Sequence, residues 1–300
     1  MTDLPPVLIL GGPTASGKSA LAVDIAEAYG GIVVAADAMT VYRGLDVGTA
    51  KPTPADRARA PHRGLDLRDP HEDFNVADFL GEVEAARQSG VPVVIAGGTP
   101  FWIAALVRPL ARLPEPDPAL RAEIEQIEDL HGALMAVDPV SAARLHPNDR
   151  VRLVRALEVH RATGQAMSAL HAAGAARPAV PHTLCWLDRD DLAQRIDGRL
   201  QQMLDGDYLG EVRRVLAQGV SPSCKPLRSF SYVHMVAHLV DGMSLDEAVR
   251  CTRRDTWRLA RKQRTWGRGM GWTATGPDFA WQAAAHLWGP GQRSPARSLA

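Results

Sequence analysis

The sequence predicts an α/β protein in which helices flank a parallel sheet, a P-loop follows the first strand, and an α-helical insertion interrupts the fold. Three observations predict this. Short apolar runs alternate with amphipathic stretches of helical period, a pattern typical of parallel sheets covered on both faces. The first apolar run ends in the glycine-rich stretch "GGPTASGKS". From about residue 113 to about residue 175 the patterns are helical.

Three apolar runs before residue 100 are predicted to be buried strands. They are "PPVLILGG", "GIVVAADA" and "VPVVIAGGT", and the intervening stretches "SALAVDIAEAYG" and "NVADFLGEVEAARQSG" have helical spacing. Ligands of open parallel sheets bind at the carboxyl ends of the strands. All three ends carry unusual residues, which are Gly12 to Ser19, Asp37 to Thr40, and Gly97 to Thr99.

The rest of the chain is predicted to leave the sheet and return to it. The stretch "LPEPDPALRAEIEQIEDL" opens the helical insertion, and "HTLCWLDRD" brings the chain back to the sheet. Amphipathic helices and the basic helix "AVRCTRRDTWRLARKQRTWGRG" follow, and the last thirty residues, rich in Gly, Pro and Ala, are expected to be loosely ordered. The predicted divisions are a core at 1–112, the insertion at 113–181 and the completion of the core at 182–300.

Composition indicates an ordinary soluble protein. Hydrophobic residues make up 46% and charged residues 23%, with no run long enough to cross a bilayer. The start "MTDLPPVLILGG" lacks the basic region of a signal peptide, so we expect a cytoplasmic protein without membrane contact. Three scattered cysteines predict reduced thiols and no zinc site. The segment from residue 251 onward contains nine basic and two acidic residues, and this excess of positive charge indicates a polyanionic partner for the C-terminal part.

The glycine-rich stretch has the pattern Gly-x-x-x-x-Gly-Lys-Ser, a backbone cradle for phosphates. Glycines let successive N–H groups point inward, Lys18 adds a charge, and the Ser19 hydroxyl is a Mg²⁺ ligand in such loops. The pattern alone leaves hydrolysis, phosphoryl transfer and diphosphate recognition open. The predicted phosphate-binding residues are Gly12, Pro13, Thr14, Ala15, Ser16, Gly17, Lys18 and Ser19.

The absence of an acid after one strand and the presence of an acid after another distinguish between these alternatives. NTPases place a Mg²⁺-binding Asp on a later strand, and "VPVVIAGGTP" ends in Gly and Thr without an acid, which counts against an ATPase motor. Asp37, at the end of "GIVVAADA", is placed where a carboxylate can take a proton from an acceptor beside the phosphates. The alternative for Asp37 is an Asx turn or a helix N-cap.

Seven segments together resemble tRNA dimethylallyltransferases, over nearly the whole chain to about residue 270. They are "GPTASGKS", "ADAMTVYRGLDVGTAKP", "APHRGLDLRDPHEDFNVADF", "AGGTPFW", "LPEPDPALRAEIE", "HPNDRVRLVRALEV" and "ARKQRTWGRG". The resemblance implies transfer of a dimethylallyl group from dimethylallyl diphosphate to the exocyclic amine of the adenine 3′ of the anticodon. The tRNAs would be those that read codons beginning with U, and a monomeric enzyme is expected.

The resemblance also assigns roles to residues. It implies that Lys18 and Mg²⁺ stabilise the diphosphate, that Asp37 takes the proton from the amine, and that Thr99 helps to position the phosphates. It implies contact of the anticodon stem-loop with the insertion and with the basic helix. The residues expected to bind tRNA are Asp37, Ala38, Met39, Thr40, Arg121, Arg152, Arg155, Arg228, Tyr232, Arg258, Arg261, Lys262, Gln263, Arg264 and Trp266.

The chemistry of the basic helix supports RNA contact independently. Arg254, Arg258 and Arg261 recur at i, i+4 and i+7, and tryptophans lie among them, which is typical of a surface that follows phosphates and stacks on bases. The alternatives are a solvated basic helix and, for Arg152 and Arg155, ion pairs within the insertion.

The chain departs from the family pattern at three places. Ala38 follows Asp37 where Ser is usual and Thr40 replaces Gln or Leu. Pro100, Phe101 and Trp102 follow "AGGT". In "SFSYVHM", Ser231, Val233 and His234 replace Gly, Arg and Gln, so the arginine expected to approach phosphate or RNA is absent, and Arg228 is the nearest substitute. Two rival functions therefore stay open, a nucleoside or metabolite kinase with the same loop, and a tRNA-binding protein without catalysis.

Overall fold

The computed structural model describes residues 4–108, 111, 113–173 and 179–291. Its strands are β1 (Val7–Gly11), β2 (Ile32–Ala35), β3 (His62–Arg63), β4 (Val93–Gly97), β5 (His182–Leu187) and β6 (Ala274–Thr275). Its helices are α1 (Lys18–Tyr29), α2 (Pro54–Arg59), α3 (Val76–Gln88), α4 (Pro100–Val107), α5 (Pro118–Glu125), α6 (Leu130–Val137), α7 (Pro139–Ala142), α8 (Arg150–Thr163), α9 (Met167–Ala172), α10 (Leu192–Asp205), α11 (Tyr208–Ala217), α12 (Val233–Val240), α13 (Leu245–Gly269) and α14 (Pro277–Trp288).

The strands form one sheet in the order β3-β2-β4-β1-β5-β6, and every neighbouring pair is parallel. This confirms the predicted parallel sheet, including the return to it at β5. The register pairs Gly11 of β1 with Gly97 of β4, and Ala35 of β2 with Ala96 of β4. The carboxyl ends of β1, β2 and β4 therefore lie side by side, and the three unusual segments meet at one edge of the sheet.

The core on one face of the sheet includes a helix that the sequence did not predict. Gly, Pro and Ala were expected to leave the last thirty residues loosely ordered, and that expectation is wrong for Pro277–Trp288, which is α14. Ala280, Ala283 and Ala284 are buried in the core cluster with Leu8 and Leu10 of β1. Small side chains at i, i+3 and i+4 let the helix approach the sheet closely, so the alanines pack as one face. Residues 292–300 lie outside the described part.

The chain folds into two compact units, Met1–Leu106 with Val180–Ala300, and Val107–Ala179. The second unit contains α5 to α9 around an apolar cluster that includes Ile124, Leu134 and Leu153. Its buried Glu158 accepts a hydrogen bond from the backbone N–H of Asp117 at 2.8 Å. The sequence predicted the insertion at 113–181.

Among the described residues, no helix has both the length and the apolar character that a membrane span requires.

Candidate active site

The phosphate loop joins β1 to α1 with the backbone that its glycines permit. Gly12 has φ 151° and Gly17 has φ 90°, both in the region that favours glycine. A Cβ on Gly12 would lie 2.2 Å from the carbonyl oxygen of Leu187, so no larger residue fits there. Gly17 is the N-cap of α1, which places the loop at a helix N-terminus, where backbone N–H groups attract anions.

Lys18 is the first residue of α1 and its side chain is buried in the loop. Its Nζ donates a hydrogen bond to the carbonyl oxygen of Pro13 at 3.1 Å. Burial, together with the nearby Arg199 guanidinium and against the opposing effect of the Asp37 carboxylate, lowers the Lys18 pKa to about 8. A phosphate anion in the loop would favour the charged ammonium and raise this pKa again.

This pKa predicts a pH dependence of anion binding. As pH rises above about 8, free Lys18 loses its proton, and binding must restore it, so affinity for inorganic diphosphate should fall by up to about tenfold per pH unit. Calorimetric titration between pH 7 and 9.5 measures this slope. The control is Lys18→Met, which should lack this component of the slope. Equal slopes in both proteins would show that Lys18 does not titrate there.

Asp37 lies just beyond β2 and forms the Asx turn that the sequence left open as its alternative role. Its Oδ1 accepts the backbone N–H of Met39 at 2.9 Å, and its carbonyl oxygen accepts the Thr40 hydroxyl at 3.2 Å. The turn occupies one carboxylate oxygen, and no residue in the described ranges donates to Oδ2. Asp37 therefore serves the turn and keeps an oxygen with which to accept a proton.

Thr99 connects the end of β4 to the turn of Asp37. Its hydroxyl accepts the backbone N–H of Ala38 at 3.1 Å, and its own N–H donates to the carbonyl oxygen of Ala36 at 3.2 Å. The expected role of Thr99 was to position phosphates. These hydrogen bonds show that Thr99 also holds the segment that contains Asp37.

A cavity of about 300 Å³ brings these groups together. Lys18, Ser19, Asp37 and Thr99 all line it. Ala38, Met39 and Thr40, which were expected to contact tRNA, line it as well. Much of the remaining wall is apolar and comes from α10 and α13, including Ile196, Leu200 and Leu259. The cavity therefore combines a phosphate-binding end, a carboxylate and an apolar wall.

Arg199 of α10 is a second cation in this cavity, and sequence analysis missed it. Its Nη1 donates to the Thr14 hydroxyl at 3.3 Å and its Nη2 to the carbonyl oxygen of Thr49 at 3.4 Å. Burial lowers the Arg199 pKa, with Asp37 opposing. The signal was present in the sequence: Arg199 interrupts the apolar stripe of Ile196, Leu200 and Met203 at helical spacing. A charge on the buried face of a helix needs a partner, and here bound diphosphate would supply one.

Gln263 of α13 was expected to contact tRNA, but it is buried at the phosphate loop. Its Oε1 accepts the backbone N–H of Thr14 at 2.8 Å, and its Nε2 donates to the carbonyl oxygen of Gly98 at 2.6 Å. Only 5% of the residue is exposed. Its amide is therefore part of the support of the loop and is not available to RNA in this structure.

Tyr232 is also enclosed, although it was expected to bind tRNA. It is fully buried, and its hydroxyl donates to Glu211 Oε1 at 2.8 Å. Glu211 also accepts the backbone N–H groups of Asp46, Val47 and Gly48, so this carboxylate fixes the loop that borders the cavity. The role of Tyr232 in the structure is to support that loop.

The remaining expected tRNA contacts on α13 differ in exposure. Arg258, Arg261, Lys262 and Trp266 are exposed, while the Arg264 guanidinium donates to Asp188 Oδ1 at 2.9 Å. The Arg264 side chain is therefore bound to the segment that follows β5. The four exposed side chains lie on the outer face of α13. Here "the outer face of α13" means Arg258, Arg261, Lys262 and Trp266.

The expected tRNA contacts of the insertion are partly engaged in ion pairs. Arg155 Nη1 lies 2.7 Å from Glu158 Oε2, and Arg121 Nη2 lies 3.4 Å from the same oxygen. Arg152 pairs with Asp149 at 2.6 Å, but its side chain is 72% exposed. Arg152 thus stays accessible to a polyanion, whereas Arg155 fits the alternative of an internal ion pair.

Two of the residues that depart from the family pattern at 231 to 234 have defined positions in the structure. Ser231 lines the cavity, and His234 Nε2 lies 2.8 Å from Asp255 Oδ2. Arg254 and His234 hold the Asp255 pKa down at about 2, with Arg254 the larger influence. Arg228 is exposed, and its proposed substitution for the missing arginine stays a prediction.

A Mg²⁺ site would depend mainly on the diphosphate. Across the described residues, no group of three or more His, Cys, Asp or Glu side chains is placed to hold a metal ion. Ser19 is exposed and lines the cavity, and its hydroxyl is the hard oxygen donor that Mg²⁺ prefers. The residues therefore fit an ion that one protein oxygen, phosphate oxygens and water coordinate.

Comparisons with known proteins show similarity over most of the chain. Residues 40–270 match the IPP transferase family and residues 5–64 the isopentenyl transferase family. The chain is 47% identical to tRNA dimethylallyltransferase 1 of Citrifermentans bemidjiense, over 87% of this chain and 88% of that protein. It is 43% identical to tRNA dimethylallyltransferase 1 of Trichlorobacter lovleyi, over 90% and 94%.

A solved structure has the same fold. The full-length tRNA isopentenylpyrophosphate transferase of Bacillus halodurans superimposes with a TM-score of 0.64 at 28% identity, covering 95% of this chain and 96% of that one. The phosphate loop, the carboxylate beyond β2 and the match over most of the sequence agree, and the chain belongs to the IPP transferase family.

Proposed function

We propose that the protein transfers a dimethylallyl group from dimethylallyl diphosphate to the exocyclic amine of the adenine 3′ of the anticodon. The tRNAs would be those that read codons beginning with U. The observation that carries this proposal is the cavity that Lys18, Asp37 and an apolar wall share. A nucleotide motor would instead need a Mg²⁺-binding acid after β4, where Gly97, Gly98 and Thr99 stand. The donor is thus a diphosphate with an apolar group.

The reaction breaks the bond between the allylic carbon and the diphosphate oxygen and forms a bond from that carbon to the adenine nitrogen. The nitrogen loses one proton, which Asp37 accepts, and diphosphate leaves with the electron pair of the broken bond. Lys18 and Arg199 line the cavity in which the diphosphate would lie, and the N-terminus of α1 adjoins it, so these groups would favour the charge separation. Bound Mg²⁺ would supply further charge stabilisation to the diphosphate.

The acceptor adenine has to leave its base stack to reach Asp37 in the cavity. Enzymes that modify a base within structured nucleic acid extrude it in this way. An adenine amine is a weak nucleophile, so orientation within a water-poor cavity contributes as much as the basicity of the carboxylate. This substrate implies a cytoplasmic enzyme, and the monomeric state stays a prediction.

The outer face of α13 is proposed to contact tRNA phosphates. Reversing two of its charges, Arg258→Glu with Arg261→Glu, should weaken tRNA binding and make its salt dependence shallower. Each lost phosphate contact removes about 0.7 to 0.9 from the slope of log K against log salt. The control is Arg213→Glu with Arg214→Glu on α11, which makes the same change of net charge. A double variant on α13 with an unchanged slope would exclude this face from the RNA interface.

A transfer assay tests the proposed function against its rivals. Purified protein, dimethylallyl diphosphate and unmodified tRNA should release diphosphate, and omission of either substrate should stop release. ATP should not replace dimethylallyl diphosphate as a substrate. Formation of ADP from ATP and a phosphorylated small acceptor would establish the kinase. Binding of tRNA with neither diphosphate release nor ADP formation would establish the non-catalytic protein.

A further inference from the structure

The Gln263 amide connects two loops of the site through both of its polar atoms. Its Oε1 accepts from the Thr14 N–H in the phosphate loop, and its Nε2 donates to the Gly98 carbonyl oxygen after β4, at 2.8 and 2.6 Å. A Cβ on Gly98 would lie 2.5 Å from Nε2, so the glycine is needed for this approach. The two bonds attach α13 to both loops.

The second loop extends the connection to the carboxylate. Thr99 follows Gly98, and its hydroxyl accepts the N–H of Ala38, the neighbour of Asp37. One buried side chain of α13 therefore supports the diphosphate loop directly and the Asp37 turn through Thr99. Hydrogen-bonded chains between packed elements are a physical route for coupling between two sites.

The same turn of α13 presents the proposed RNA contacts to solvent. Arg261 and Lys262 precede Gln263 in the sequence and are exposed, and Trp266 is 41% exposed. The inner side of this turn is firmly packed, since a Cβ on Gly267 would lie 2.7 Å from the Trp186 ring. RNA bound outside and diphosphate bound inside would thus constrain the same turn of helix.

We propose that Gln263 is a positioning residue that couples RNA bound on the outer face of α13 to diphosphate bound in the phosphate loop, so that each ligand tightens the other. This inference rests on the proposed function. Coupling of two ligands is reciprocal, so either affinity reports it. RNA would fix α13, and Gln263 would transmit that restraint to Thr14 and to Gly98, which lowers the entropy cost of ordering the loop around diphosphate.

Two substitutions separate this role from simple packing. Gln263→Met has nearly the same length but leaves the Thr14 N–H and the Gly98 carbonyl oxygen without their partner. Gln263→Glu keeps an acceptor for Thr14, but its second oxygen faces the Gly98 carbonyl oxygen and repels it. Both should lose coupling, although Gln263→Glu retains one bond. Gln202→Met, at an exposed position of α10, is the control.

Calorimetry of inorganic diphosphate, at fixed Mg²⁺, with and without saturating anticodon stem-loop RNA, measures the coupling. In the wild type and in Gln202→Met, RNA should tighten diphosphate binding by about fivefold or more, a typical allosteric coupling. In Gln263→Met the effect should fall below about twofold, while RNA alone binds as in the wild type. Thermal melting checks folding, and Gln263→Glu carries the test if Gln263→Met does not fold.

The outcomes distinguish this inference from the function on which it rests. Wild-type protein that binds both ligands without coupling overturns the inference alone, as do Gln263 variants that keep the wild-type coupling. Wild-type protein that binds neither ligand contradicts the proposed function and the inference together. Loss of coupling in the Gln263 variants, with coupling kept in Gln202→Met, supports the inference.

Discussion

Lys18→Ala should lower the rate of dimethylallyl transfer by at least about 10²- to 10³-fold, the usual loss for a group that stabilises developing charge. The Lys18 ammonium is buried in the phosphate loop, where it would face the leaving diphosphate. Water cannot replace it well, because the Lys18 side chain is buried and a charge there acts at low dielectric. A single-turnover measurement at saturating donor isolates this step from binding. A rate near that of the wild type would remove Lys18 from the mechanism.

The same substitution should not reduce stability. Burial holds the Lys18 pKa near 8 in the folded protein, below 10.5 for an ordinary lysine, so the unfolded chain binds the proton more tightly. Charged Lys18 therefore costs folding free energy below about pH 8, and the cost disappears as pH rises from about 8 to about 10.5. Thermal melting at pH 7 should give a Tm for Lys18→Ala no lower than that of the wild type. Lys225→Ala, at an exposed lysine, is the control for both measurements.

Asp37→Asn should slow the chemical step by about 10²- to 10⁴-fold, the usual contribution of a positioned general base. Asparagine keeps an oxygen for the Met39 N–H, so the turn that Asp37 forms should survive. It cannot accept the proton of the adenine amine. Affinity for tRNA and for diphosphate should stay the same or rise slightly, because a negative charge beside phosphates is removed.

A single-turnover experiment with donor prebound decides between the two roles of Asp37. A fall of two orders of magnitude or more with an unchanged Tm supports the base. A chemical step within about fivefold of the wild type would mean that Asp37 only shapes the turn, which asparagine can also do. Asp73→Asn, at an exposed carboxylate, should react at the wild-type rate.

The strands and the phosphate loop were predictable because their signals are local. Val7–Gly11 and Val93–Gly97 are buried apolar runs that end in glycines, and the spacing from Gly12 to Lys18 defines the loop without tertiary information. The helix Pro277–Trp288 was missed for the opposite reason. Its buried face is made of alanines, so hydrophobic periodicity is weak, and only the neighbouring sheet explains why they are buried.

Site residues that belong to local motifs were predictable from the sequence. Residues that reach the site from a distant part of the chain were not. Lys18 and Asp37 follow strand ends, and parallel strands bring those ends together. Gln263 lies 249 positions from Thr14 in a basic helix, and its neighbours Arg261 and Lys262 led to the expectation that it contacts RNA. Whether a residue of that helix faces RNA or the loop depends on how the helix packs, and composition does not contain that information.

Mass spectrometry of nuclease-digested tRNA, from cells with and without the gene, tests the proposed dimethylallyl transfer in the cell. We expect tRNAs that read codons beginning with U to carry a dimethylallyl group on the adenine 3′ of the anticodon only when the gene is present. The gene encoding Asp37→Asn should restore little or none of it. Identical tRNA with and without the gene, or a dimethylallyl group on another nucleotide, would exclude the proposed function.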